Sequence, residues 1–232
     1  MKSIQLPLFI AALGLSSFAQ ADFIGLKGDV NYWSYNGKIE NTKPLNGNND
    51  IDRDNGIQAS IAFEHPVPLL PNVKIKYTNL DSSTNNNDGA FSSNTIDLTN
   101  TDYILYYEIL DNIVSADIGL GLANINGDFK QYDAIQSMDY TMSGNLPIAY
   151  ASIGGKLPFT GLSTKGEIIV GSDGDATLTD VQAELQYNFV QSLLLDLGAK
   201  VGYRYMSIDA DKDDIKYKLD FKGPYIGLNA HF

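Results

Sequence analysis

Residues 195–205 read Leu-Asp-Leu-Gly-Ala-Lys-Val-Gly-Tyr-Arg-Tyr. Leu195, Leu197, Ala199, Val201, Tyr203 and Tyr205 share one parity, and Asp196, Gly198, Lys200, Gly202 and Arg204 share the other. A period of two with complete separation describes a β-strand with one apolar and one polar face, because successive side chains of a strand point to opposite sides. The split recurs in 181–189, where Val181, Ala183, Leu185, Tyr187 and Phe189 oppose Gln182, Glu184, Gln186 and Asn188. Helical spacing is not evident after Ala21, so the expected fold class is all-β.

Working outward from these two strands, turn signals divide the chain into ten alternating segments. They run from Phe23 to Tyr35, Asn55 to His65, Asn72 to Leu80, Thr95 to Ile109, Ile113 to Asn124, Leu146 to Lys156, Leu162 to Val170, Asp180 to Phe189, Leu193 to Ser207 and Tyr217 to Phe232. Eight strands is the alternative count. In 146–156 either parity is defensible, and near Pro224 the alternation breaks in a way that suggests a bulge. The connections 65–72, 110–112, 157–161 and 190–192 are short, while 36–54, 81–94 and 125–145 are long and rich in Asn, Asp, Ser and Gly.

Alternation alone does not name the solvent, since soluble sandwiches and barrels share it. Three features favour a transmembrane antiparallel up-and-down β-barrel. The polar faces carry Gly, Ser, Gln and both charge signs, as suits a narrow polar lumen, and long connections alternate with short ones. The chain also ends on Phe232, in phase with Ile226, Leu228 and Ala230, as the closing strand of an outer-membrane barrel does. That ending makes the barrel assembly machinery an expected partner, alongside outer-membrane lipid and lipopolysaccharide.

Met1 and Lys2, the apolar run from Leu6 to Phe18 and the sequence Ala19-Gln20-Ala21 have the order of a signal peptide with its cleavage site. The expected organisation is therefore a signal peptide over 1–21 and one barrel domain over 22–232. The apolar run is shorter than the roughly 20 residues a membrane-spanning helix needs, and no later stretch approaches that length. The absence of cysteine removes disulfides, thiolate chemistry and cysteine lipidation. A formal charge of −12 argues against nucleic acid, whose phosphates require clustered Lys and Arg.

With the strands placed, TDYILYYEILDNIVSADIGLGL (Thr101 to Leu122) and LPFTGLSTKGE (Leu157 to Glu167) resemble hairpins of a family of small Gram-negative outer-membrane β-barrel proteins of unassigned function. The resemblance implies the barrel and its location. It carries over no catalytic, cofactor or metal residues.

Candidate chemistry is sparse. A membrane-embedded enzyme acting on lipid A or peptides would call for a general base, and His65 and His231 both fall at expected periplasmic strand ends. Asp209, Asp211 and Asp213 have the spacing of a calcium loop, but Asp214 stands where Gly is needed and Asp220 where Glu is usual. No catalytic, cofactor or metal site is expected. Phe23, Phe63, Phe159, Phe189 and Phe232 near one end, and Tyr32, Tyr103, Tyr203 and Tyr205 near the other, suit two interfacial girdles. On the assigned parity Lys27, Asp29, Glu64, Lys74, Lys76, Glu108, Asp117, Lys165, Glu167, Glu184, Asp196, Lys200 and Arg204 point inward. Charges of both signs in a narrow space are expected to form a lumen charge network, because an unpaired buried charge is costly. The expected role is structural, surface-interacting or minor transport, with a receptor or adhesin using the long loops as the main alternative.

Overall fold

The computed structural model describes residues 25–41, 50–67, 69–86, 92–133, 137–192, 194–212 and 215–232. The signal segment, Phe23, Asp213 and Asp214 lie outside the described residues. Ten strands follow one another along the chain: β1 (Gly25–Asn41), β2 (Asp50–Glu64), β3 (Asn72–Asn86), β4 (Ser92–Asp111), β5 (Val114–Asp133), β6 (Ser137–Leu157), β7 (Leu162–Ser172), β8 (Ala176–Gln191), β9 (Asp196–Lys212) and β10 (Ile215–His231). Each pairs antiparallel with its neighbours in sequence, and β1 pairs with β10 to close the barrel. Ten, not eight, is the strand number. Closure leaves no edge, which is what a sheet crossing a bilayer requires, since hydrocarbon offers no partner to a free N–H or C=O.

Several strands run well past their expected ends. The span 125–145, expected as a loop, is mostly the paired outer halves of β5 and β6, in register from Ile125 opposite Gly144 to Tyr132 opposite Ser137. Likewise β1 continues to Asn41 and β2 begins at Asp50, within the expected loop 36–54. The reason is visible along β5. Val114, Ala116, Ile118, Leu120 and Leu122 face outward, opposite Ser115, Asp117, Gly119 and Gly121; beyond them Asn124, Asn126, Asp128 and Lys130 face outward, while Ala123, Ile125 and Phe129 are buried inside. The strand continues but its surroundings invert: lipid outside and polar lumen within, then water outside and an apolar core within. β9 does the same, passing from Val201 and Tyr203 outward with Lys200 and Arg204 inward to Asp209 outward with Met206 and Ile208 inward.

In β6 the parity resolves with Leu146, Ile148, Tyr150 and Ser152 inward and Ala149, Ala151 and Ile153 outward. The irregularity expected near Pro224 lies across the seam. β10 pairs with β9 without interruption, whereas the β1–β10 ladder skips Ser34 and Tyr35 opposite Gly223 and Pro224, and the β1–β2 register shifts between Tyr35 and Gly37. Pro224 has no N–H to give, and a Cβ at Gly223 would collide with the Ser34 carbonyl. Trp33 Nε1 donates to the Gly223 carbonyl at 3.1 Å, so a side chain bonds the backbone where the ladder is interrupted.

The outward belt holds the girdle aromatics. Tyr32, Tyr103 and Tyr203 mark its upper border, and Phe63, Phe189 and Phe232 its lower one, all exposed. β1 begins and β10 ends at the lower border, which is the periplasmic end of such a barrel.

Candidate functional site

The barrel interior is built in three layers. At the periplasmic end a vestibule of about 380 Å³ is lined by Lys27, Asp29, Asn31, Lys165, Lys200 and Asn229 among others. Its charges are matched across the wall. Lys27 Nζ lies 2.6 Å from Glu64 and 3.7 Å from Glu108, and Lys200 lies 2.6 Å from Asp29 and 3.3 Å from Glu184. Hydroxyl groups fill remaining acceptor positions: Tyr106 donates to Glu64 at 2.7 Å, Tyr225 to Glu184 at 2.6 Å, Ser60 to Asp29 at 2.9 Å and Ser152 to Asp117 at 2.6 Å.

The middle layer is an ion-paired cluster across the lumen. Lys74 and Lys76 converge on Glu167 from β3, Lys76 at 2.9 Å, and Lys76 reaches Asp180 at 2.8 Å. Arg204 grips Asp180 with two parallel bonds of 2.8 Å, from Nε and Nη2, and its Nη2 also donates to Thr78 at 3.1 Å. Gln58 donates to Gln182 at 3.2 Å, and Gln182 donates to Glu167 at 3.2 Å. The Arg204 guanidinium sits 4.6 Å over the Trp33 ring, so its face is covered as well as its edge. Opposite-wall strands are thereby tied through side chains: β2 to β8, β3 to β7 and β8, and β9 to β3. A paired and hydrogen-bonded charge is the form in which burial is tolerable, and the two-pronged Arg–carboxylate geometry fixes orientation as well.

Above this lies the apolar layer. Trp33, Tyr35, Ile39, Leu80, Ile96, Leu98, Ile125, Ile169, Leu178, Met206, Ile208, Leu219 and Phe221 are buried together, with Tyr35 edge-on to Phe221 at 5.6 Å. At the mouth Tyr140 of β6 stacks on Tyr217 of β10 at 4.0 Å, reaching over the short β7–β8 hairpin.

Of the thirteen inward charges expected from parity, Lys27, Asp29, Glu64, Lys74, Lys76, Glu108, Glu167, Glu184, Lys200 and Arg204 meet a partner of opposite sign or one another as described. Lys165 is 3.9 Å from Glu167, at the vestibule wall. Asp117 is held by Ser152, and Asp196 sits at the β8–β9 turn accepting the Ser192 amide at 3.2 Å. Parity reasoning missed Asp180, the carboxylate that Arg204 holds. Asp180 is in phase with Gln182 and Glu184 and opens the expected segment 180–189, so the signal was present. Asp102, in phase with Glu108, was missed in the same way; it accepts from Asn100 at 2.9 Å. The apolar layer was not foreseen at all.

His65 and His231 lie at the periplasmic rim, where His65 contacts the Pro71 carbonyl at 3.2 Å. Among the described residues no group of three or more His, Cys, Asp or Glu side chains is arranged to hold a metal ion.

No protein-family model matches this sequence, and no curated protein matches it. Among solved structures it is similar to the outer membrane protease OmpT from Escherichia coli, with a TM-score of 0.48 at 10% identity over 93% of this chain and 100% of that one. It is similar also to the attachment invasion locus protein Ail of Yersinia pestis, with a TM-score of 0.37 at 12% identity over 89% and 99%. The translocator domain of the autotransporter NalP from Neisseria meningitidis has a TM-score of 0.45 at 9% identity over 96% and 93%. These are likenesses of fold alone. The closed sheet with its outward apolar belt is the deciding feature. The protein is an outer-membrane β-barrel.

Proposed function

We propose that the barrel is sealed and works at its outer end as a surface-interaction protein, not as a conducting pore. The observation that carries this reading is the pair of stacked layers inside the barrel, an ion-paired layer under an apolar one, both built of buried side chains. Barrel diameter grows with strand number, and ten strands leave room for packed side chains where sixteen leave a channel. The outer halves of β4, β5 and β6 stand above the belt with a water-facing polar outside and a packed inside, a rigid platform for contact with another molecule. The periplasmic placement of both histidines supports a non-enzymatic role. Lys38, Lys218 and Lys222 face outward just above the belt, where lipopolysaccharide phosphates would meet them. The mature chain would begin at Asp22, and the closing strand ending at Phe232 would be the part read by the assembly machinery.

Single-channel recording on purified protein in planar bilayers tests the seal. Wild type is expected to be silent, and Arg204→Ala, which unties Asp180, to admit small ions. Steady porin-like conductance from wild type would refute the reading. Exchange of the outer β5–β6 hairpin, residues 125–145, for that of an unrelated barrel should abolish attachment of cells or ligands to the surface while leaving the barrel folded.

A further inference from the structure

Above the belt the barrel wall has a notch. β7 ends at Ser172 and β8 begins at Ala176, whereas β6 starts as far out as Ser137. The β6–β7 ladder begins at Ile148 opposite Gly171, so among the described residues no strand lies on the β7 side of β6 from Ser137 to Pro147. On its other side Pro147 pairs with Leu122, the last outward apolar residue of β5, so this edge stands in water from the top of the belt upward.

The Lys156 amide donates to the Ile113 carbonyl at 2.8 Å, and from there the β5–β6 register runs unshifted, from Val114 opposite Gly155 to Tyr132 opposite Ser137. Bonding alternates by residue in an antiparallel ladder, so the even-numbered residues of β6 bond β5 and the odd-numbered ones turn N–H and C=O the other way. Pro147 agrees, since a Cβ at Gly171 of β7 would lie 2.9 Å from its carbonyl. Ser137, Asp139, Thr141, Ser143 and Asn145 therefore present their backbone groups to the notch. Side chains do not shield them: Thr141 donates to Asp128 at 2.6 Å, Ser143 donates to Asn126 at 2.7 Å and Asn145 accepts from Asn124 at 2.7 Å, all toward β5. Open edges are ordinarily blunted by charge, proline or a bulge. Where β2–β3 pairing stops, at Gly56 opposite Leu80, β2 carries Asp50, Asp52, Arg53 and Asp54. The β6 edge above Pro147 has Asp139 alone and no register shift.

We infer that the outer edge of β6 is a docking site for an extended, basic peptide segment of another protein, which adds to the sheet as an antiparallel strand. The inference rests on the surface-interaction reading above and names the class of partner. On the inner face a Cβ at Gly144 would meet nothing within 4 Å, between Met142, which packs on the apolar layer, and the buried Leu146. That gap takes an apolar side chain from the incoming strand. On the outer face stand Asp139 and, on the β7–β8 turn at the foot of the notch, Asp173 and Asp175, with no basic residue on that turn or on β6 from 137 to 147. Lys130, opposite Asp139, belongs to β5 on the side away from the notch. The segment that fits alternates apolar residues inward with basic residues outward. A second copy in the same membrane does not fit. A two-fold axis along the membrane normal would tilt the two β6 strands by about 40° in opposite senses, so they would cross at about 80° and not pair.

The test is fluorescence anisotropy of a labelled peptide, acetyl-Lys-Val-Lys-Val-Lys-Val-Lys-amide, titrated with the full mature protein in phosphatidylcholine nanodiscs against empty discs. In antiparallel docking the lysines lie opposite the odd-numbered residues of β6 and turn their N–H groups to the edge, while the valine N–H groups face away. N-methylation of the lysines should therefore weaken binding roughly tenfold or more, and N-methylation of the valines should change it by less than about threefold. The peptide with Glu in place of Lys should bind roughly tenfold more weakly. Ser143→Pro removes a notch-facing N–H without touching the β5 ladder and should weaken the lysine peptide roughly tenfold, whereas Ser143→Ala, which loses only the bond to Asn126, should bind as wild type. Unheated-gel mobility reports folding of both variants, and the methylated peptides need no variant at all. No saturable binding at millimolar peptide, equal affinity of the two methylated peptides, or equal affinity of the Lys and Glu peptides would overturn the inference. Loss of attachment on exchange of residues 125–145, together with no peptide binding, would overturn the docking edge and leave the surface role standing.

Discussion

The inversion of surroundings along β5 can be tested by three substitutions within nine residues. Ile118 is central in the outward apolar run 114–122 and is 55% exposed; an Arg there faces hydrocarbon and should cost about 2–4 kcal/mol. Asn126 has the same parity and lies eight residues further on. At about 3.4 Å per residue and a tilt of about 40°, it stands roughly 20 Å higher along the membrane normal, beyond the roughly 12 Å half-height of a typical apolar band. Asn126→Arg should therefore change stability by less than about 0.5 kcal/mol. Ile125, its inward neighbour, is buried in the apolar layer, and Ile125→Ala should cost about 2–5 kcal/mol as a core truncation. Urea titrations of the protein in lipid vesicles, followed by circular dichroism and by gel mobility without heating, give the three differences. Were Asn126→Arg as damaging as Ile118→Arg, the bilayer would reach the outer half and the inversion would be wrong. Were Ile125→Ala harmless, the upper lumen would be wet.

Other outcomes follow from individual contacts. Val201→Arg, on the lipid face of β9, should lower stability by about 2–4 kcal/mol in the same titration. Its neighbour Gly202 is not a tolerant lumen position, because a Cβ there would meet the Tyr225 ring and come within 2.6 Å of the Ala183 carbonyl; Gly202→Ser should cost about 1–3 kcal/mol. Arg204→Met leaves Asp180 buried without its two-pronged partner and should cost about 3–5 kcal/mol, with much of the loss recovered in Arg204→Met/Asp180→Leu. Above the belt, burial pushes Asp220 up, but hydrogen bonds from Ser207 and Tyr205 and the nearby Lys218 ammonium outweigh it and hold the carboxyl below its ordinary value. This contribution to stability is present above the ordinary carboxylate range and is lost as pH falls through the lowered value. Tyr205→Phe should move the Asp220 carbon-13 titration to higher pH, and an unmoved titration would remove Tyr205 from that account.

Strand number, closure and the facing of the lower half were legible because one rule governs them: lipid outside, polar inside. The expected end of β5 at Asn124 falls where that rule reverses. Asn124, Asn126 and Asp128 look like loop residues when the outward face is assumed to be lipid, but they are ordinary strand residues once water replaces lipid. The same assumption hid the apolar layer, since Ile125 and Phe129 have the parity of a polar lumen. Asp180 and Asp102 escaped for a smaller reason. Each lies toward the outer end of the polar run on its strand, close to where the inward face turns apolar, and each obeyed the parity that placed Glu184 and Glu108. The β1–β10 seam was out of reach, because which partner residue a proline faces depends on register across the first and last strands.

That seam supplies an optical reporter. Trp33, whose indole bonds the Gly223 carbonyl where the backbone ladder is interrupted, is the sole tryptophan of the sequence. All tryptophan emission from the chain therefore originates at the point where the first strand meets the last. A hairpin stack that has formed but not yet joined end to end would glow at the red wavelengths of a hydrated indole. Joining would carry the indole under the Arg204 guanidinium and shift the emission to the blue, so the moment the ring completes can be timed without any label.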